Sequence, residues 1–182
     1  MARLGDIGKI VTGNTPKTSE KENYTSKDIC FVKPTDILEH DITYVEGSEF
    51  YISESARNKA RIVPPQSILI TCIGIIGKVA VNQVECAFNQ QINAIIPDLK
   101  ICIPSYLACA IQHKKNEMQN TANAAVVPIL NRTQFSNLEI HLPQLDEQIK
   151  ISAVLGRLTS LISLRKQQLA KLDELVKVRF VE

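Results

Sequence analysis

The nearest thing in this chain to a reactive loop is Thr71-Cys72-Ile73-Gly74-Ile75-Ile76-Gly77-Lys78. A glycine-rich turn ending in lysine can cradle phosphates with its backbone N–H groups. Here Cys72 stands where the first glycine belongs, and Val79 replaces the Ser or Thr that would hold magnesium. The two glycines are better read as a tight hairpin with Lys78 exposed at its edge. His40, His113 and His141 share no metal-ligand spacing. The five cysteines, Cys30, Cys72, Cys86, Cys102 and Cys109, are odd in number and form no CxxC pair. They read as buried free thiols in a reducing cytoplasm rather than a disulfide framework or a zinc site. A Cys–His nucleophile pair is the competing reading. Asp98-Leu99-Lys100 lacks the separate upstream acid of a metal-dependent nuclease core. Val63-Pro64-Pro65-Gln66 lacks both flanking residues of a loop that would hold a flipped adenine for methylation. With no Gly-x-Gly cofactor loop either, the sequence predicts no enzyme, no cofactor and no metal.

What remains is a set of polar loops. Asn and Gln can bond adenine through two hydrogen bonds, and Lys and Arg suit guanine or phosphate. The candidates for a DNA contact are Asn14, Thr15, Lys17 and Thr18; Lys33, Thr35 and Asp36; Asn58, Lys59 and Arg61; Lys78; and Asn89, Gln90, Gln91 and Asn93. Each alone has an ordinary structural reading as a turn former, a backbone cap or a solvated charge.

The elements that must hold these loops read as mixed α and β over residues 1–142. Strands are predicted at Ile7–Thr12, Ile29–Lys33, Ile42–Val45, Ile68–Ile73, Ile76–Asn82, Gln91–Ile96 and Leu138–Leu142. Turn sequences separate them: Gly13-Asn14-Thr15-Pro16, Pro34-Thr35-Asp36 and Pro64-Pro65-Gln66-Ser67. Lys17–Lys27 reads as a polar loop. Pro104–Glu117 is predicted as a helix, opened by Pro and Ser and carrying Tyr106, Leu107, Ala110 and Ile111 at helical spacing. Thr121–Val127 reads as a small-residue loop, and Asn131 is placed to cap a short helix leading to Phe135.

Composition bounds the rest. The 182 residues leave room for one globular domain and one extended element. No apolar run approaches a membrane span, and Met1–Asp6 has no apolar signal core. Of the 21 Lys/Arg and 19 Asp/Glu, residues 143–182 hold seven and five, leaving fourteen of each sign before them. Any basic surface on the globular part must be local.

Residues 143–182 are different in kind. Pro143-Gln144-Leu145-Asp146-Glu147-Gln148 opens an unbroken heptad pattern. With Leu155 as position a, the a and d slots hold Ile151, Leu155, Leu158, Ile162, Arg165, Leu169, Leu172, Val176 and Arg179. Val154, Leu161 and Leu175 in g slots widen the stripe. Such a repeat predicts a coiled coil, and the helix would span roughly 55 Å. Burying its aliphatic seam is worth on the order of 10–20 kcal/mol, an upper bound. The chain has no second heptad segment, so the partner helix must come from another chain. Arg165 and Arg179 occupy slots where an apolar residue would stabilise more. Arg165 either fixes register or snorkels to solvent. Gly156 falls at position b, away from the seam. Almost no linker precedes the helix, so the domain is expected to be held rigidly on it.

Five stretches, in order, resemble the specificity (S) subunit of type I restriction–modification systems. They are Leu4-Gly5-Asp6-Ile7 leading to Gly13–Pro16; Phe31–Ile37; Ile68-Leu69-Ile70 with Gly74–Lys78; Phe88–Asn93; and the Pro-x-Leu-x-Glu-Gln helix start at Pro143–Gln148. The resemblance implies an α+β protein: a target recognition domain at 1–142 followed by a spacer and dimerisation helix at 143–182. It implies a subunit that does no chemistry, reads a two-part double-stranded DNA sequence and recruits methyltransferase subunits, with restriction subunits able to join. The chain looks like half a specificity subunit, natural or cut from a longer chain. Two copies pairing their helices antiparallel would rebuild the two-domain arrangement and read two identical inverted half-sites. The alternatives are a coiled-coil adaptor whose domain binds protein, and the specificity part of another restriction–methylation class.

Overall fold

The computed structural model describes residues 1–122 and 127–179, apart from the side chains of Val178 and Arg179. The chain opens with β1 (Ala2–Arg3), α1 (Leu4–Ile7), β2 (Gly8–Thr12), β3 (Ile29–Val32) and β4 (Thr43–Val45). Next come β5 (Tyr51–Ile52), β6 (Ile62–Val63), β7 (Ile68–Thr71), β8 (Val79–Asn82), β9 (Cys86–Phe88) and β10 (Ile92–Pro97). Then follow α2 (Pro104–His113), α3 (Lys115–Thr121), α4 (Arg132–Ser136), β11 (Glu139–Ile140) and α5 (Leu145–Arg179). Short 3-10 turns lie at Lys21–Tyr24, Pro34–Asp36 and Glu54–Lys59.

The strands form a five-stranded sheet ordered β2-β10-β7-β8-β4, a four-stranded sheet ordered β5-β3-β9-β6, and a small β1-β11 pair. Within the larger sheet only β4 and β8 run parallel, and within the smaller only β3 and β9. Side chains alternate across each strand, so one strand can feed two cores. Ile68 and Ile70 of β7 and Val79 and Val81 of β8 point to the core shared with Leu107, Ile111 and Phe135 of the helices. Leu69 and Ala80 point the other way, to Val32, Val63, Cys86 and Phe88 between the two sheets. A third cluster packs Ile29, Phe31, Ile52 and Ala87 against Ala56 of the outer 3-10 turn. The layers are thus helix, sheet, sheet and turn. Strands covered on both faces explain the unbroken apolar runs in the sequence.

Several predicted elements are shifted. Ile7 closes a helical turn, and β2 starts at Gly8. The predicted Pro104–Glu117 helix is broken at Lys114, whose N–H bonds Ile111 O three residues back. A second helix then runs to Thr121 and buries Met118. β5, β6 and β9 were not predicted, because two or three residues are too few for alternation to show. Asn131 does cap α4, accepting from Gln134 N–H at 2.9 Å while Gln134 accepts from Asn131 N–H at 2.9 Å. Of the predicted 121–127 loop, Asn123–Val126 lie outside the described residues. Cys30, Cys72, Cys86 and Cys102 are buried as expected, but Cys109 is only half-buried. Burial raises the Cys72 and Cys102 thiols to about 12, for Cys72 against hydrogen bonds with Asn93 that lower it.

The predicted hairpin at Gly74–Gly77 is present, with both glycines at positive φ, 75° and 87°. Lys78 is a correction. It is half-buried rather than exposed, and its ammonium donates to Pro34 O at 3.1 Å.

Candidate nucleic-acid interface

The pairing registers bring the candidate loops together. In the parallel β3–β9 pair Val32 lies opposite Phe88, so Lys33–Asp36 and Asn89–Gln91 leave the sheet at the same end. In the larger sheet Thr12 lies opposite Asn93, and Ile92 opposite Thr71. The Asn14–Thr18 loop and the Thr71–Lys78 hairpin therefore emerge at the Asn89–Ile92 end as well. β6 enters at Ile62 opposite Ala87, which sets Lys59–Arg61 beside that end. Backbone bonds stitch the loops: Asn14 N–H to Phe88 O, Gly13 N–H to Ile92 O and Asn89 N–H to Val32 O.

Within this cluster the side chains fall into two groups. Some are already engaged. Asn14 donates to Lys59 O and accepts from Arg61 N–H, both at 2.7 Å, so its amide is spent holding one loop to another. Lys59 Nζ bonds Glu20 at 3.0 Å, Glu22 at 2.9 Å and Asn23 at 3.0 Å. That bond to the ammonium holds the Glu20 carboxyl below its ordinary value. Asp36 accepts from Lys33 N–H and the Ser48 hydroxyl, closing its 3-10 turn. Asn89 is buried and bonds Gln91 twice across a tight turn. Asn93 is buried within β10 and accepts from Thr12.

The others reach outward. Lys17, Thr18, Thr35, Asn58 and Arg61 are exposed. Thr15 and Gln90, also exposed, are joined by a 2.8 Å hydrogen bond. Gln91 is half-buried behind them. The Lys33 ammonium sits 3.0 Å from the Phe50 ring centroid, a cation–π contact that positions a charge near the rim. No cluster of His, Cys, Asp or Glu able to hold a metal exists among the described residues.

Residues 1–174 match the family model described as the type I restriction modification DNA specificity domain. The chain belongs to that family. It is 31% identical over 170 residues to the type I restriction enzyme MjaIX specificity subunit of Methanocaldococcus jannaschii, covering 91% of this chain and 39% of that one. It is 31% identical over 147 residues to the HindI specificity subunit of Haemophilus influenzae, covering 79% and 31%. This specificity domain therefore spans well under half the length of those relatives. Its fold matches the HsdS subunit from Thermoanaerobacter tengcongensis at a TM-score of 0.72 and 20% identity, over 91% of this chain and 38% of that one. It also matches a chain of a type I R-M system at a TM-score of 0.76 and 20% identity, over 93% and 40%.

The long helix carries the second group of candidate residues. Ile151 is half-buried against the chain's own domain. Leu155, Leu158, Ile162, Leu169, Leu172 and Val176 are all exposed, from 36% at Leu155 to 62% at Leu169. The Arg165 guanidinium turns to Gln168 at 2.8 Å. Gly156 faces the open groove between α5 and α2, where an added Cβ would meet nothing within 4 Å. The Arg179 side chain lies outside the described residues. No described helix is long and apolar enough to cross a membrane.

One buried polar residue escaped the sequence reading. Gln148 is fully buried: it accepts from Ile103 N–H at 2.9 Å and donates to Ile101 O at 2.9 Å and Pro143 O at 2.8 Å. Its place in the Pro-x-Leu-x-Glu-Gln stretch was visible, but a glutamine in a helix's first turns ordinarily reads as surface.

Proposed function

We propose that this chain is the sequence-reading part of a type I restriction–modification system, itself doing no chemistry. Residues 1–142 form the target recognition domain and residues 143–182 the helix that joins two copies. The observation that carries the reading is the convergence of the polar loops on one end of the two sheets. On that end Lys17, Lys33 and Arg61 supply phosphate contacts, and Thr15, Thr18, Thr35, Asn58, Gln90 and Gln91 supply groups for base edges. Asn14, Asp36, Lys59, Lys78, Asn89 and Asn93 act at one remove, shaping the loops that carry them.

The partner copy follows from the exposed seam of α5. Two helices paired antiparallel hold a recognition domain at each end, and the target is an inverted repeat with unread base pairs between its halves. Methyltransferase subunits, and restriction subunits with them, complete the assembly. The protein acts in the cytoplasm, where its DNA lies and free thiols persist.

The test is selection from a randomised pool of DNA duplexes, with the methyltransferase subunit present. Recovery of a spaced inverted repeat is expected. Equal retention of all sequences refutes the reading. A salt series separates DNA from protein binding, since phosphate contacts make affinity fall steeply with salt.

A further inference from the structure

From Ala153 to Lys177 every residue of α5 is exposed. Beyond its first turns the helix is therefore not steered by packing. An open groove of about 1280 Å³ separates Leu155, Thr159 and Ser163 from Tyr44, Tyr106 and Cys109. Across its far end lies an ion pair, Lys166 to Asp41 at 3.5 Å, with side chains 64% and 49% exposed. A pair so wet holds little. The direction of the helix is left to its root, and there the polar anchor is Gln148.

We infer that Gln148 is a positioning residue that fixes the angle between the recognition domain and α5, and through it the spacing between half-sites that a dimer accepts. This rests on the proposed dimeric reading. The amide is well suited to the task. Its oxygen takes the Ile103 N–H just before α2, while its nitrogen spans Ile101 O on the domain side and Pro143 O at the helix entry. Two of the three bonds cross to the Ile101–Ile103 backbone of the domain and the third ties in the helix entry at Pro143, so a tilt that carries the helix root away from Ile101–Ile103 stretches the crossing bonds.

The leverage is large. The helix continues about 40 Å beyond Ser152 at 1.5 Å per residue. A tilt of about 10° at the root moves its far end by about 7 Å, or about two base-pair steps of duplex. In a symmetric pair both roots contribute. Spacing selectivity thus depends on a residue that lies at the helix root, across the sheets from the candidate loops.

The experiment uses the full chain. Half-sites recovered from a randomised duplex pool by the unaltered protein, with methyltransferase subunit present, are rebuilt with the recovered spacer and with spacers one and two base pairs longer or shorter. The unaltered protein is expected to lose about tenfold or more in affinity per step, comparable to a base mismatch. Gln148→Leu and Gln148→Asn are expected to keep the same half-site preference and the dimeric mass. Their loss per spacer step should flatten to about threefold or less, still on the scale of a weak mismatch. Lys166→Ala should keep the steep dependence. A spacer preference in both Gln148 variants equal to that of the unaltered protein overturns the inference while leaving the function standing. Failure of both variants to fold also overturns it, because Gln148 would then hold the domain rather than the angle. Failure of the unaltered protein to recover any repeat refutes the function itself.

Discussion

Replacing Leu158 and Leu169 together with alanine removes two seam side chains that face each other when α5 pairs antiparallel about the midpoint of its stripe. Alanine is the strongest helix former, so the lone helix keeps its conformation and only the interface is altered. In the single chain the two leucines are 50% and 62% exposed. A partner helix has roughly half of each left to cover, worth about 1 kcal/mol apiece against ~1.5–3 kcal/mol for complete burial. Both protomers carry the change, so four side chains are lost, or about 4 kcal/mol of association free energy. At 1.4 kcal/mol per decade that weakens dimerisation by about a thousandfold. Sedimentation equilibrium across a wide concentration range reads this directly. Lys171→Ala, at an exposed position off the seam, should leave the dissociation constant unchanged. Identical constants for the double variant and the unaltered chain, or a monomer at every concentration in both, would refute the argument that this stripe needs a partner.

Arg61 and Lys59 should behave differently despite lying two residues apart. Arg61→Ala removes an exposed charge, so the slope of log affinity against log salt should shrink by about one. Lys59→Ala frees Glu20 and Glu22, so it should loosen the Lys17–Tyr24 segment, seen as faster amide exchange there. Asn131→Ala breaks the capping box of α4 and should cost about 1 kcal/mol, lowering Tm by about 2–4 °C. Arg165→Leu, read by light scattering, should leave a dimer of unchanged mass if the guanidinium snorkels past the seam, whereas a changed mass assigns it the register role. The buried thiols set an alkaline limit. Cys30 is raised to about 11, by burial first and then by Asp36, and Cys72 and Cys102 to about 12 by burial, against an ordinary value of 9.0. Well below pH 9 all are protonated in both states and their contribution is intact. Above it the unfolded chain sheds protons that the folded chain keeps, so urea midpoints should fall steadily between pH 9 and 12. A flat profile over that interval would count against their burial.

Local chemistry was legible in the sequence. The runs at Ile29, Ile68 and Ile92 are strands because β-branched residues covered on both faces leave no polar alternation to hide them. Pro104 opens a helix, Asn131 caps one, and Gly74 and Gly77 turn a hairpin, each for reasons contained within a few residues. The heptad stripe of α5 shows in the sequence because its spacing is a property of one helix. Which polar residues are engaged was not legible. Asn14 and Lys59 look like surface groups in a linear reading. Their partners lie 45 and up to 39 residues away in sequence and are reached only because β6 pairs with β9. Tertiary structure also decided that the loops converge, since parallel β3–β9 pairing sends Lys33 and Asn89 out at one end. It decided Gln148 as well. A glutamine is buried or exposed according to what lies against it, and the Ile101–Ile103 backbone arrives there only when the domain has folded.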